Sequence, residues 1–228
     1  RKKKEKKFLI FHYTGMKNEI AAINRLTNFK SKVSCHYLIR NNGDILKLVP
    51  DLYVAWHAGI SNWKNYKSIN QNSIGIEISN RGHGNKYKKF SKKQIDSVLI
   101  LSSFLIKKYK IKSNFILGHS DISPNRKKDP GEKFPWKYLS KNKIGLWHNL
   151  NQRKLLIERN KKINKLDKIN FIKNLYKIGY DVNVHKKNSK YLKLIIKAFQ
   201  RRFRQNLING KIDQECLSIS KNIAERIK

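Results

Sequence analysis

Seven histidines are spread along this 228-residue chain, and they are the side chains best suited to hold a metal or carry a proton. A hydrolytic zinc site needs three protein ligands and one open position for water, and His and carboxylate side chains suit it. Such groups belong at strand ends or in the loops just beyond, where side chains converge on a cleft. His12 stands at the end of the apolar run Phe8-Leu9-Ile10-Phe11, and His119 closes the stretch 114–117. Asp129 lies in the Pro-bounded loop Asp129-Pro130-Gly131, which can fold back over the same edge. Spacing alone leaves two readings open: a metal site, or strand-end histidines that serve structure or surface.

The elements that would position these groups follow from periodicity. Residues 8–11 predict a buried strand delivering His12. Ile20, Ile23 and Leu26 recur at helical spacing, which predicts a helix over 19–28. Residues 33–39 and 45–49, separated by Asn41-Asn42-Gly43-Asp44, predict a hairpin. Residues 72–79 alternate, with Ile74, Ile76 and Ile78 on one face and Gly75, Glu77 and Ser79 on the other. Ser91-Lys92-Lys93-Gln94 has the form of a capping box opening a helix through Tyr109. A strand at 114–117 and a loop over 124–131 complete the series. Interleaved strands and helices predict an α/β fold, a mixed central sheet flanked by helices.

After Trp147 no further strand is predicted. Residues 149–164 read as a polar, basic helix or linker. Three helical patterns follow: one capped by Asp167, carrying Phe171, Leu175 and Ile178 and stopped by Gly179; one capped by Ser189, carrying Leu192, Ile195, Ile196, Phe199 and Phe203; one capped by Asp213, carrying Leu217, Ile219 and Ile223. The predicted organisation is a main domain over 1–148, a helical linker over 149–164 and a small three-helix domain over 165–228.

Six stretches carry a family resemblance. They are Phe11-His12-Tyr13-Thr14, Ser34-Cys35-His36-Tyr37-Leu38-Ile39, Ala55-Trp56-His57-Ala58-Gly59, Asn72-Ser73-Ile74-Gly75-Ile76-Glu77-Ile78, Gly118-His119-Ser120-Asp121-Ile122-Ser123-Pro124 and Arg126-Lys127-Lys128-Asp129-Pro130-Gly131. In this order they resemble the zinc amidases related to phage lysozyme-type amidases and peptidoglycan recognition proteins, and within that group the AmpD/AmiD branch. The resemblance spans residues 8 to about 147. It implies a zinc-dependent N-acetylmuramoyl-L-alanine amidase, which cuts the amide bond between N-acetylmuramic acid and L-alanine of the peptidoglycan stem peptide in cell-wall turnover or recycling.

The resemblance further implies zinc ligands His12, His119 and Asp129, with catalytic assistance from Glu77 and Lys127. The chemistry agrees. The metal polarises the scissile carbonyl and acidifies bound water. Glu77 can pass the water's proton to the leaving amine, and Lys127 can stabilise the oxyanion. A surface ion pair is the alternative for Glu77, and a solvated loop cation the alternative for Lys127. Cys35 takes the position where some relatives carry a catalytic Tyr; a thiol cannot do a phenol's job, so Glu77 carries more weight. His36 reads as a buried structural histidine. Trp56 and His57, in a Gly-bearing loop, read either as substrate-groove lining or as a packed loop. His83, His148 and His185 lie in polar contexts with no specific role expected.

The stretches Ile178-Gly179-Tyr180-Asp181-Val182, Ala198-Phe199-Gln200-Arg201-Arg202-Phe203 and Asn209-Gly210-Lys211-Ile212-Asp213 resemble the three-helix peptidoglycan-binding domain appended to AmiD-type amidases. The alternative is a helical tail that packs on the enzyme.

Fifty-two Lys and Arg against 15 Asp and Glu give a formal charge of +37. Lys, Asn and Ile are abundant in loops and on helix faces alike, which reads as compositional drift, with attraction to anionic wall polymer as a by-product. A nucleic-acid binder would call for a zinc-finger spacing, an aromatic RNA-binding motif or a glycine-rich phosphate loop, and none is present, so no nucleic-acid partner is expected. Cys35 and Cys216 imply no disulfide framework. No run is long enough to span a membrane. The expected partners are peptidoglycan or muropeptides and the expected state is a monomer. The expected location is the cell envelope or periplasm, with a lipid anchor outside this chain as one option and the cytoplasm as the alternative.

Overall fold

The computed structural model describes residues 5–182 and 189–227. Elements in chain order are β1 (Phe8–Tyr13), α1 (Glu19–Thr27), β2 (Tyr37–Ile39), β3 (Ile45–Lys47), β4 (Asn62–Trp63), β5 (Tyr66–Lys67), β6 (Ser73–Ile78), α2 (Lys92–Tyr109), β7 (Ile116–Gly118), α3 (His119–Ile122), α4 (Trp136–Lys141), α5 (Gln152–Glu158), α6 (Lys165–Ile178), α7 (Ser189–Phe203) and α8 (Gln214–Glu225). The central sheet has the order β3-β2-β6-β1-β7. Strands β2, β6, β1 and β7 run parallel, and β3 joins the edge antiparallel to β2. The sheet is therefore mixed, as the sequence predicts, and β4 and β5 form a separate small ribbon.

Period-two alternation assigns the two faces of the sheet. Leu9, Phe11, Ile74, Ile76 and Ile78 pack with Val98, Leu101 and Leu105 of α2 and with Trp136 and Leu139 of α4. The opposite face carries Phe8 and Ile10 of β1 and Leu117 of β7. Phe8, Leu9, Ile10 and Phe11 are all fully buried, and each such side chain contributes about 1.5–3 kcal/mol of hydrophobic stabilisation. Both faces of β6 are buried too, which is the pattern of a central parallel strand.

Helix α1 caps the β2 end of the second face, where Leu26 meets Cys35 and Leu38. The C-terminal helices cover the β1–β7 end. Phe171 and Leu175 of α6, Ile195 and Phe199 of α7 and Ile219 and Ile223 of α8 share one apolar cluster with Phe8, Ile10, Trp63 and Leu117. The stretch 149–164 holds α5, whose Leu155 is buried in the same cluster, and Arg159 pairs bidentately with Glu215 of α8 at 2.7 and 2.8 Å.

Local readings differ in a few places. Ile20 is 71% exposed, and α1 buries Ala22 and Leu26 instead. The hairpin strands are shorter than the apolar runs, because residues 34–36 turn toward the loop and β6 through Ser34 N–H to Trp56 O and His36 N–H to Gly75 O. Cys35, His36, Tyr37, Leu38 and Ile39 are all buried, so both faces of this stretch are covered. Asn164 caps α6, accepting from the Asp167 N–H at 2.8 Å, and Asp167 sits in the first turn, where its charge suits the helix dipole. The Ser91–Gln94 capping box, the Asp213 cap and the Gly179 stop are as read from the sequence. Ser189 is the first residue of α7, and the residue before it lies outside the described residues.

Candidate metal centre

Parallel pairing aligns the chemistry-bearing residues. The register sets His12 beside Glu77 and Phe11 beside Gly118, so His119, one residue further, comes level with His12. All lie at the carboxyl ends of their strands, where α/β sheets form their ligand crevices. His119 does not end a strand, as its apolar run suggests. It opens α3, because the chain turns at Gly118. Gly118 is needed there, since a Cβ would lie 2.6 Å from Cδ of Pro130. That close approach, with the Ser120 N–H donating to Asp129 O at 2.8 Å, folds the Asp129 loop back over His119.

The three side chains meet. His12 Nδ1 lies 2.9 Å from His119 Nδ1, and each lies 3.0 Å from Asp129 Oδ2. The outer ring nitrogens are also engaged. His119 Nε2 lies 3.0 Å from the Ala58 carbonyl, which can only accept, so Nε2 carries a proton and the neutral form of the ring turns the lone pair of Nδ1 inward. His12 Nε2 lies 3.0 Å from His57 Nδ1, and His57 Nε2 lies 3.0 Å from Ser73 Oγ. Donation outward along that chain leaves His12 Nδ1 bare as well.

Burial lowers the His12 pKa to about 4, and the neighbouring His119 adds to the drop. Burial drives His57 well below its ordinary value. Burial pushes the Asp129 carboxyl up, but the His119 and His12 rings outweigh it and hold Asp129 below the usual carboxylate range. Two imidazole nitrogens and a carboxylate oxygen thus converge on one buried point. A cation placed among them would satisfy all three, and the N, N, O donor set fits a divalent metal of borderline softness.

Glu77 is 8% exposed, and its Oε2 has no hydrogen-bond partner among the described residues. Burial raises its pKa to about 8, with the Asp129 charge adding to the rise and Lys127 opposing it. The surface ion pair allowed by sequence is not what forms. Lys127 is half-buried and lines the same cavity of about 440 Å³ as Glu77, His57, His119, Asp129 and Tyr13. Trp56 and His57 part company. His57 is buried behind His12, whereas Trp56 is 42% exposed, faces Phe29 at 6.2 Å and lines a separate hollow with Phe29, Lys30 and Lys32.

The remaining histidines divide. His36 is fully buried, accepting from the Gly75 N–H at 3.0 Å and bonding Tyr53 O at 3.1 Å. His83 is not idle, as its polar context suggests. It bridges Tyr13 Oη at 2.9 Å and Glu132 at 2.9 Å beside the site. The signal available in the sequence was the adjacency of Tyr13 to His12 and of Glu132 to Gly131. His148 is buried and stacks on Trp147, and His185 lies outside the described residues. Cys35 is buried, and burial raises its pKa well above the ordinary value.

Comparison with known proteins agrees with this fold. AmiD, an N-acetylmuramoyl-L-alanine amidase of Escherichia coli (strain K12), is 35% identical over 232 residues, covering 96% of this chain and 83% of that protein. The 1,6-anhydro-N-acetylmuramyl-L-alanine amidase AmpD of Haemophilus influenzae is 41% identical over 114 residues, covering 49% of this chain and 60% of that protein. The solved complex of E. coli AmiD with the substrate anhydro-N-acetylmuramic acid-L-Ala-D-gamma-Glu-L-Lys matches with a TM-score of 0.85 at 32% identity, over 98% of this chain and 90% of that one. AmpDh3 from Pseudomonas aeruginosa, in complex with anhydromuramic pentapeptide, matches with a TM-score of 0.85 at 28% identity, over 98% and 92%. Residues 2–132 fit the Amidase_2 family, and with a site at the strand ends and relatives spanning nearly its whole length, the chain belongs to the N-acetylmuramoyl-L-alanine amidases.

Proposed function

We propose that His12, His119 and Asp129 hold one zinc ion, and that the cavity around them is where this amidase hydrolyses the bond between N-acetylmuramic acid and L-alanine. The observation that carries the reading is the convergence of two imidazole Nδ1 atoms and one carboxylate oxygen at 2.9–3.0 Å, with each ring's far nitrogen already engaged. Metal-ligating histidines characteristically donate their other N–H in this way. Zinc bound there supplies Lewis acidity for the scissile carbonyl and lowers the pKa of water.

The chain's own groups do the rest. Glu77, next to His12 in the sheet register, takes the proton of the attacking water and returns it to the departing L-alanine nitrogen as the C–N bond breaks. A cation at the ligand trio favours its carboxylate form and offsets the burial that raises its pKa. Lys127, on the wall of the same cavity, stabilises the negative charge that develops on the carbonyl oxygen. His57 orients His12.

The bound ligands of AmiD and AmpDh3 support muropeptides as this chain's substrates. The motifs around Tyr180, Phe199 and Asp213 support a peptidoglycan-binding role for α6–α8. No helix among the described residues is long and apolar enough to cross a membrane.

The test is direct. Purified peptidoglycan and soluble muropeptides are incubated with the protein, with and without a chelator, and the products are weighed by mass spectrometry. Release of peptides beginning at L-alanine, abolished by the chelator and restored by zinc, is the expected result. Chelator-insensitive release, or cleavage at another bond, overturns the reading.

A further inference from the structure

The segment that begins at His119 and closes at Asp129 is held on both sides by one helix of the C-terminal module. Asp121 lies two residues after His119 in α3 and is 2% exposed. Its Oδ2 accepts from the Gly118 N–H at 2.8 Å and from Arg202 Nη1 at 2.7 Å, and its Oδ1 accepts from the Tyr180 hydroxyl at 2.7 Å. Arg202, on α7, donates its other guanidinium nitrogen to Ile116 O at 2.8 Å and lies 4.2 Å over the Trp136 ring. One buried cation thus binds the last strand before His119 and the helix that carries it. On the far side, Glu132 follows Asp129 by three residues, and Arg201 lies 4.0 Å from its Oε2. Gln205, just past α7, donates to Phe134 O at 2.7 Å.

We infer that Arg202, together with Tyr180, is a positioning residue of the metal centre, acting on His119 through Asp121. The inference rests on the ligand assignment above. Removing one partner of a buried ion pair is destabilising in its own right, so a purely structural pair predicts a lower melting temperature with the zinc affinity of the folded protein unchanged. A positioning pair predicts that zinc affinity falls as well. Without Arg202, the Asp121 carboxylate loses its counter-charge, the Gly118–Asp121 turn relaxes, and His119 Nδ1 leaves its place opposite His12 Nδ1 and Asp129. Outer partners of metal ligands typically account for about 10–100-fold in metal affinity.

The experiment uses the full chain and four variants: Arg202→Met, Arg202→Lys, Tyr180→Phe and, as a control, Ile223→Ala. Ile223 is buried in α8 and touches neither ligand-bearing segment through a hydrogen bond. Zinc affinity is measured by competition with a chromogenic chelator, below the melting temperature of each variant. Turnover of a soluble muropeptide is measured alongside. The expected result is a loss of about 10–100-fold in zinc affinity for Arg202→Met, a smaller loss for Tyr180→Phe, partial recovery in Arg202→Lys, and lowered kcat with KM nearly unchanged. Ile223→Ala should lose melting temperature and keep its zinc affinity. Wild-type affinity in Arg202→Met, or an equal loss in the control, overturns the inference. Should Arg202→Met fail to fold, Tyr180→Phe decides, since it removes one oxygen and fills the same space. Failure of the wild-type protein to bind zinc overturns the ligand assignment and the inference together; wild-type binding with unaltered variants overturns the inference alone.

Discussion

The ring of His57 lies 3.0 Å from that of His12, and it rests against a residue with no side chain, Gly75 of β6. A Cβ on Gly75 would fall 2.4 Å from Cγ of His57. The glycine is thus the space into which the orienting histidine fits. Gly75→Ala should push the ring away and free His12 to rotate, and His57→Ala should do the same by deletion. Both should weaken zinc binding by about 10–100-fold, read by titration against a chelator. Unchanged affinity in both would place His57 in packing alone.

The ligands themselves should show a larger effect. The purified protein should carry about one zinc per chain, and His119→Ala should lose it under mild dialysis. Elemental analysis checks both. Full zinc content in the variant would remove His119 from the ligand set.

Glu77 and Lys127 should separate binding from chemistry. Glu77→Gln and Lys127→Ala are expected to keep their zinc while kcat falls by about 100-fold or more. Single-turnover measurements on a soluble muropeptide, with metal content measured on the same sample, decide the matter. Near-normal turnover in either variant excludes that residue from the reaction.

Asp51 offers a test of stability far from the chemistry. It is 3% exposed and accepts from the hydroxyls of Tyr37 and Tyr109 and from Lys108, joining β2 to the end of α2. Burial raises its pKa, but these three donors outweigh burial and hold it below the usual carboxylate range. A depressed folded-state pKa contributes stability that is fully present above the unfolded value of about 3.9. That stability is lost as pH falls further, toward the folded value. Asp51→Asn should therefore be less stable than the wild type at pH 7, by about 1–3 kcal/mol. The gap should narrow below about pH 4. Denaturant melts at pH 7, 4 and 3 check this, and a gap that widens in acid would refute it.

Much of the site was legible because it rests on strand ends and fixed motifs. The apolar run before His12, the alternation through Glu77 and the Pro-bounded loop at Asp129 each placed a side chain with the right parity or at the right edge. What could not be read was set by tertiary approach. Glycine at 75 gives no hint that an imidazole from 18 positions earlier lies against it. The bridge from Tyr13 through His83 to Glu132 joins the end of β1 to two separate loops, and only the nearness of Tyr13 and Glu132 to site residues hinted at it. Trp56 and His57 are neighbours in sequence with opposite fates, because the loop turns one to the surface and the other inward. The exposure of Ile20 shows the same limit: helical spacing fixes which residues share a face, but not which neighbours that face will meet.

The stretch 149–164 joins the two halves of the molecule, yet it is itself fastened down. Leu155 is in the core, Arg159 holds Glu215, Asn222 bonds Asn149 at 2.7 Å, and the Gln214 N–H reaches Lys161 O at 3.1 Å. Severing the backbone at Lys161 would therefore leave two polypeptides and a single particle, separable in denaturant and inseparable by native chromatography. A module fastened in this way does not search for substrate at the end of a flexible cord. Wall polymer held by α6–α8, under the role proposed above, would meet the ligand trio at one distance and one angle, and the reach of the enzyme would be a property of its shape.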